Sequence, residues 1–374
     1  MSRVSLYCCD KYELSEIKPV IRQIIEDNGG FEQLFRKGKR TVIKPNLVMK
    51  KTPDEAATTH PAVIEAIIEL IKPYTDDITI AECPGGPNTE PLLNGIYKAT
   101  GMTEVAGRQN VRLSTDMTPE TVELPDGAAC KRLQVLKTIA DADVFINVGK
   151  LKGHSLTFMT GTAKNLYGLV PGLQKVENHA RFPKIEDFAR FVCDLNRACP
   201  PTLSFMDAVV GMEGNGPTGG SPRKIGAILG GVNTFDIDSV ACALINYDVS
   251  EAPILSAAQS LGLCSENVET VGANPDSLMV PDFKKPESNR LNPLKILPNL
   301  FGGRVNRLLE PRPKINKKKC IGCGECMRLC PQKTITVKSR KAKINRSGCI
   351  KCYCCQELCP QKAVDTKSPW FLKF

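Results

Sequence analysis

The stretch that most constrains this chain runs from Cys320 to Pro360. It reads Cys320-Ile-Gly-Cys323-Gly-Glu-Cys326-Met-Arg-Leu-Cys330-Pro331. After a basic spacer it continues Cys349-Ile-Lys-Cys352-Tyr-Cys-Cys355-Gln-Glu-Leu-Cys359-Pro360. Each half is a C-x₂-C-x₂-C-x₃-C-P run, so the two form an internal repeat offset by 29 residues. Three thiolates spaced by two residues can hold one side of an iron–sulfur cubane from a tight loop. A fourth must come from elsewhere.

The repeated run resembles the bacterial two-cluster ferredoxin pattern, in which the fourth thiolate is exchanged between the halves. That resemblance implies two [4Fe-4S] clusters, one on Cys320, Cys323, Cys326 and Cys359, the other on Cys349, Cys352, Cys355 and Cys330. A pair of Cys₄ zinc sites is the competing expectation. Zinc ribbons usually separate two C-x₂-C pairs and have no use for a third Cys in each run. Cys354 is a surplus thiol beside Cys355 and reads as a small filler, not a ligand.

At 374 residues the chain is too long for a ferredoxin alone and suits one large domain plus a small one. Nine of its 17 cysteines lie outside the two ligand sets, without the spacing of a secreted framework. Free thiols in that number imply a reducing compartment. The first sixteen residues carry no apolar signal core, and no apolar run reaches about 18 residues, so a soluble, cytoplasmic protein is expected. The net charge of +10 is uneven: from Pro311 to Phe374, 16 Lys/Arg face 3 Asp/Glu, against 34 and 37 in the remainder. A basic tail suits anionic clusters and can steer an acidic electron donor such as a ferredoxin or flavodoxin. It lacks the interleaved aromatics of a stacking surface, so no nucleic-acid partner is expected.

Upstream, residues 1–280 alternate strand, polar loop and helix. Strands are expected at 4–8, 40–43, 77–81, 144–148, 203–210 and 225–229, with helices at 19–27 and 58–71. The pattern predicts an α/β domain with a mainly parallel sheet flanked by helices. Ligands collect at the carboxyl ends of such strands, which nominates Lys44, Asn46, His60 and Glu82, although His60 can equally serve a helix N-terminus. The strand at 144–148 empties into Gly149-Lys150-Leu151-Lys152-Gly153-His154-Ser155, followed by Thr160-Gly161-Thr162-Ala163-Lys164-Asn165-Leu166-Tyr167-Gly168. Lys152, His154, Lys164, Asn165 and His179 fall in this region, and two of the chain's three histidines are among them. Lysines at a helix N-terminus suit a carboxylate or phosphate. The alternative is solvated charges and satisfied loop histidines.

The stretch 211–220 holds five glycines and nominates Glu213, Gly214 and Gly216 through close backbone approach. It is neither a dinucleotide fingerprint nor a Walker loop, so a flavin would be held without a signature. Six prolines break 281–313, yet its apolar residues argue for a packed linker, with a membrane-surface role as the second reading. Residues 314–374 then form the two-cluster ferredoxin-type α+β domain.

Lys44-Pro45-Asn46, Lys152-Gly153-His154, the run 160–168 and the run 211–217 resemble the large domain of domain-of-unknown-function family 362. Members of that family often carry a C-terminal ferredoxin module. A more distant similarity links the chain to the N-terminal α/β domain of the lactate racemase family, without any feature of that family's nickel cofactor. The expected function is an iron–sulfur oxidoreductase that passes electrons through two clusters to a small anionic or conjugated substrate. Lys152 or Lys164 would bind the anion, and His154, His179 or Glu82 would supply protons. Two other classes stand beside it: an electron carrier whose large domain docks a partner enzyme, and a non-redox enzyme with structural clusters.

Overall fold

The computed structural model describes residues 2–86, 89–287 and 311–367. Eleven strands precede the cysteine repeat: β1 (Ser2–Cys8), β2 (Arg40–Lys44), β3 (Asp77–Ile80), β4 (Arg112–Leu113), β5 (Pro119–Glu123), β6 (Arg132–Leu136), β7 (Val144–His154), β8 (Phe158–Thr160), β9 (Leu203–Glu213), β10 (Ser221–Gly231) and β11 (Val268–Gly272). All but the β5–β6 hairpin join one sheet in the order β11-β1-β10-β9-β7-β2-β3-β4, with β8 paired to β7. The β11–β1, β9–β7, β7–β2, β2–β3 and β3–β4 pairs are parallel. β10 runs antiparallel to both its neighbours, and β8 folds back on β7. The sheet is therefore mixed and mainly parallel.

Helices cover both faces. They are α1 (Leu14–Asp27), α2 (Phe31–Leu34), α3 (Pro61–Ile71), α4 (Glu90–Ala99), α5 (Met102–Gln109), α6 (Lys137–Ala140), α7 (Thr162–Asn165), α8 (Gln174–Arg181), α9 (Ile185–Ala198), α10 (Thr234–Leu244) and α11 (Pro253–Ser260). The period-2 alternation of strand side chains decides which layer each residue joins. Ile43, Ile146, Phe205 and Ile228 pack with the apolar residues of α1, α3, α4 and α5. Their neighbours Val42, Phe145, Met206 and Leu229 pack with those of α9, α10 and α11. Each fully buried isoleucine, such as Ile64 or Ile67 of α3, contributes about 1.5–3 kcal/mol.

Two elements depart from the sequence expectation. Helix α1 begins at Leu14, so Pro19 lies inside it and not at its start. Pro19 stands only one turn past the N-terminal N–H groups that have no helical partner, and the buried Ile17, Ile21 and Ile24 hold the helix across the one missing bond. β7 continues to His154, six residues beyond the expected strand end, because β9 on one side and β8 on the other satisfy its backbone. Lys150 and Lys152 are thus strand residues, not loop residues.

The C-terminal unit is ferredoxin-like and small. β12 (Arg312–Ile315) pairs with β15 (Val364–Lys367), and β13 (Ile335–Lys338) pairs with β14 (Lys341–Ile344). Each cysteine run feeds a single helical turn, α12 (Glu325–Arg328) and α13 (Cys354–Glu357). Most of the linker expected at 281–313 lies outside the described residues. Of the part that is described, Phe283 is buried with its ring edge-on to Tyr247, centroids 5.8 Å apart. Among the described residues no helix is long and apolar enough to cross a membrane.

The second cysteine half, not the first, faces the large sheet. Thr218 Oγ1 donates to the carbonyl of Glu357 at 2.9 Å, and Lys362 Nζ lies 3.5 Å from Glu55 Oε1. Leu358 fills the space that a Cβ on Gly85 would need.

Candidate functional site

The carboxyl ends of β2 and β3, the far part of β7 and the run 160–168 meet at a cavity of about 80 Å³. Asn46, Glu82, Lys152, Lys164, Asn165 and His179, all nominated from the sequence, line it. By water-volume arithmetic it has room for a few waters or a small ligand.

Each residue of the run 160–168 has a local reason. Asp238, buried on α10, accepts from Thr162 N at 2.6 Å, Thr162 Oγ1 at 2.7 Å and Ala163 N at 3.1 Å, and so caps the single turn α7. A Cβ at Gly161 would collide with the Asp238 carboxylate, and one at Gly168 with Lys44 Nζ and Glu82 Oε1. Asn165 Nδ2 donates to Asn147 Oδ1 at 2.8 Å, which leaves Asn165 Oδ1 to accept from Asn46 Nδ2 at 2.9 Å and Lys44 Nζ at 3.2 Å. Tyr167 donates to the carbonyl of Lys175 at 2.6 Å and so ties the run to α8. Thr160 Oγ1 is buried, lines the cavity and has no hydrogen-bond partner among the described residues.

The lysines divide by how much of their charge is already answered. Lys44 Nζ donates to Glu82 Oε2 at 3.0 Å, Asn165 Oδ1 at 3.2 Å and the Pro45 carbonyl at 3.1 Å. An ammonium has three donors, so Lys44 has none left for a substrate, contrary to the sequence expectation. Glu82 is equally committed: it accepts from Lys44, from Leu47 N at 3.1 Å and from Cys83 N at 2.8 Å. Lys175 donates to the Cys83 and Pro84 carbonyls. Lys152 donates to Asn46 Oδ1 at 2.7 Å and the Ala57 carbonyl at 2.8 Å, which leaves one donor. Burial, then the Lys164 charge, pulls its pKa down to about 7. Lys164 makes no hydrogen bond or ion pair among the described residues. Its Nζ sits 5.9 Å from the centroid of the Tyr167 ring, and burial lowers its pKa.

The histidines are placed differently from the expectation that they carry protons. His154 Nδ1 accepts from Leu156 N at 3.0 Å and Thr157 N at 3.3 Å, which puts its proton on Nε2. Burial holds its pKa well below the ordinary value. His154 does not line the cavity. It reaches it through Glu357, whose Oε2 is 3.9 Å from Nε2. His179 lines the cavity, stacked on Phe188 at 4.7 Å, and burial takes its pKa down to about 3. Both rings are neutral at pH 7.

Besides Lys44 and His154, four further nominated residues lie outside the cavity wall. His60 caps α3, its Nδ1 accepting from Ala62 N at 3.2 Å, and stacks on Tyr12 at 3.6 Å. Glu213 accepts from Lys284 N at 3.2 Å and pairs with Lys284 Nζ at 3.2 Å. Gly214 donates to the Lys284 carbonyl at 2.8 Å, and the Gly216 carbonyl accepts from Ser155 N at 3.2 Å. The glycine-rich loop therefore braces chain crossings, and only its Pro217 lines the cavity.

Cys354, Glu357 and Leu358 complete the wall from the ferredoxin-like unit, and the sequence reading missed all three. A signal was present. At the offset of 29 residues, Cys354 and Glu357 correspond to Glu325 and Arg328, which pair with each other on the surface. The repeat breaks where the second half meets the cavity. Cys354 is no inert filler, since it lines this cavity on one side.

The eight repeat cysteines ring two further cavities. One is lined by Cys320, Cys323, Cys326 and Cys359, the other by Cys330, Cys349, Cys352 and Cys355, with Cys354 in the second wall as well. Among the described residues no three His, Cys, Asp or Glu converge on a point that would hold one ion. Thiols around a space, crossed between the halves, fit a cubane better than a zinc ion with sulfurs at about 2.3 Å.

The family model described as Domain of unknown function (DUF362) matches residues 41–243, and that of a 4Fe-4S dicluster domain matches residues 312–360. The chain is 30% identical over 295 residues to Thylakoid-associated protein sll1697 of Synechocystis, covering 76% of this chain and 88% of that one. The lactate racemase apoprotein of Thermoanaerobacterium thermosaccharolyticum aligns at a TM-score of 0.43 and 14% identity, over 67% of this chain and 58% of that one. A protein from Thermotoga maritima aligns at 0.34 and 16%, over 55% and 52%. This chain thus spans less than two thirds of either solved structure.

Proposed function

The chain belongs to the DUF362 family, and from that premise we propose that it is an iron–sulfur oxidoreductase that reduces a small anionic, conjugated substrate in the cavity beside Cys354. One observation carries the reading: Cys354 lines both the substrate-sized cavity and the ring of Cys330, Cys349, Cys352 and Cys355. The two thiol rings would hold two [4Fe-4S] clusters, which when bound supply and store single electrons. Everything else falls to the chain's own side chains.

Lys164 anchors the anion, and the hydroxyl of Thr160 adds a hydrogen bond, neither having a polar partner among the described residues. Lys152, with a pKa near 7 and one uncommitted donor, gives the proton that an organic reduction needs. This role moves to it from the histidines, which burial keeps neutral. The Lys44–Glu82 pair and the Asn46–Asn165–Asn147 chain hold Lys152 and the floor of the cavity in place. A recessed cavity favours a small substrate over the docking of a partner enzyme on this face. The nine cysteines outside the two thiol rings suit a reducing compartment.

The test uses anaerobically purified, fully reduced protein mixed with a panel of small conjugated carboxylates. Reoxidation by at least one of them, slowed strongly in Lys152→Met with cluster content unchanged, is the expected result. No reoxidation by any member, together with no binding detectable by calorimetry, would overturn the reading.

A further inference from the structure

The two halves of the cysteine repeat have opposite surroundings, and the difference assigns them different tasks. The second half is turned inward: Cys354 and Cys355 are buried and Cys352 is partly covered. The first half is turned outward at its second thiol: Cys323, the counterpart of Cys352, is exposed and Cys326 is partly covered, while Cys320 is buried. Ile321 is 48% exposed and Met327 44% exposed, and they flank Cys323 in the chain. Met327, Cys323, Arg328 and Lys333 share the wall of one open groove.

The charge around this apolar patch is one-sided. Between Arg312 and Gly348 there are twelve Lys/Arg and a single acid, Glu325. Glu325 is already paired with Arg328. Lys317, Lys318 and Lys319 are exposed immediately before Cys320, and the side chains of Lys318 and Lys319 have no partner among the described residues. An apolar side chain beside the most exposed repeat thiol, with Lys333 in the groove wall and a strongly cationic chain on either side in sequence, has the anatomy of a transient protein interface. Stabilising a cluster requires cations close to its sulfurs, whereas exposed lysines at the rim act mainly on what approaches.

Resting on the reading that the thiol rings hold clusters, we propose that the first repeat half is the electron-input face and docks an acidic one-electron carrier protein. The carrier loses one electron and the chain gains one, with no bond made and no proton moved. Two such encounters supply the electron pair that a two-electron reduction consumes. Electrons enter beside Cys323 and leave beside Cys354, so the broken symmetry of the repeat sets the direction of the wire.

The experiment uses the full-length holoprotein and, as probe, a reduced acidic [2Fe-2S] ferredoxin. Two quantities are measured: association by titration calorimetry with the oxidised probe, and the second-order rate of electron transfer by stopped flow. The double variant Lys318→Glu/Lys319→Glu and the single variant Met327→Glu are compared with Lys72→Glu, a reversal at the end of α3. At about 0.05 M salt the double variant should lose on the order of tenfold or more in both affinity and rate. That gap should close at about 0.5 M, where surface charges are screened. Met327→Glu should weaken association at either salt concentration. Reduction by photogenerated deazaflavin radical, which needs no docking, should be unchanged in every variant.

Equal rates in the double variant and the wild type, or an equal loss in Lys72→Glu, would overturn the proposal. Unchanged iron and labile sulfide keep that failure separate from failure of the underlying reading. Absence of iron and sulfide from wild-type protein would sink the underlying reading instead.

Discussion

His154 Nε2, at the end of β7, faces Glu357 Oε2, on α13, across 3.9 Å. The two residues come from different units, and at that distance Nε2 has no hydrogen-bond partner among the described residues. Because Nδ1 already accepts two backbone N–H groups, the ring is held as the neutral imidazole with its proton on Nε2.

That neutrality makes the fold acid-sensitive. The His179 pKa is lowered to about 3 and that of His154 also falls, both chiefly through burial. A histidine with a depressed folded pKa stabilises the protein above its unfolded pKa of about 6.5, and that stability is lost as pH falls from there toward the folded value. Each such group costs up to about 1.4 kcal/mol per pH unit in that window. Guanidinium midpoints should therefore drop between pH 6.5 and 5, and His179→Phe, which keeps the stack on Phe188, should flatten the slope. An unchanged slope would place the acid sensitivity elsewhere.

Lys164→Ala and Lys44→Ala should differ in kind. Lys164 has no hydrogen bond to lose among the described residues, so its removal should leave the melting temperature near wild type while anion affinity falls tenfold or more, roughly the loss of one charge-assisted contact. Lys44→Ala strands Glu82 in a buried site and should cost about 3–5 kcal/mol of stability. Thermal melts and carboxylate titrations on both variants check the contrast.

Turnover should decline as pH rises through about 7, because Lys152 must be protonated to donate. Lys152→Met should remove this limb of the profile along with most of the rate. A profile that keeps its limb in the variant would assign the proton to another group.

Gly161→Ala should displace Asp238 from the N–H groups of Thr162 and Ala163. Overpacking of this kind costs about 1–3 kcal/mol, and α7 carries Lys164. Stability and anion affinity should fall together here, and a crystal structure of the variant would locate the shifted turn.

Purified wild-type protein should carry about eight iron and about eight labile sulfide per chain. Cys320→Ser should lose one cluster. Cys354→Ser should keep both and slow reoxidation by substrate, since Cys354 stands between the second thiol ring and the cavity. Iron and sulfide assays with electron paramagnetic resonance decide between these outcomes.

The cysteine repeat was legible in the sequence, and its resemblance to two-cluster ferredoxins implied the crossed thiol sets, each of which lines one cavity in the structure. The sequence by itself determined the strand–loop–helix alternation, because the hydrophobic period of each segment is local. Lys152, Lys164, Asn46 and Glu82 were also legible as site candidates, since polar residues near the strand ends of such a sheet are where ligands collect, and all four line the cavity. Only the tertiary structure decided which of them remain available. Lys44 and Lys164 look alike in sequence, yet one spends every donor on Glu82, Asn165 and Pro45 and the other spends none. Tertiary packing alone also turned the histidines from proton sources into neutral rings, because a pKa depends on burial and on neighbours distant in the chain. It brought Cys354 and Glu357 to the cavity as well. Their contacts with the large sheet span well over a hundred residues, and no local pattern encodes contact across that separation.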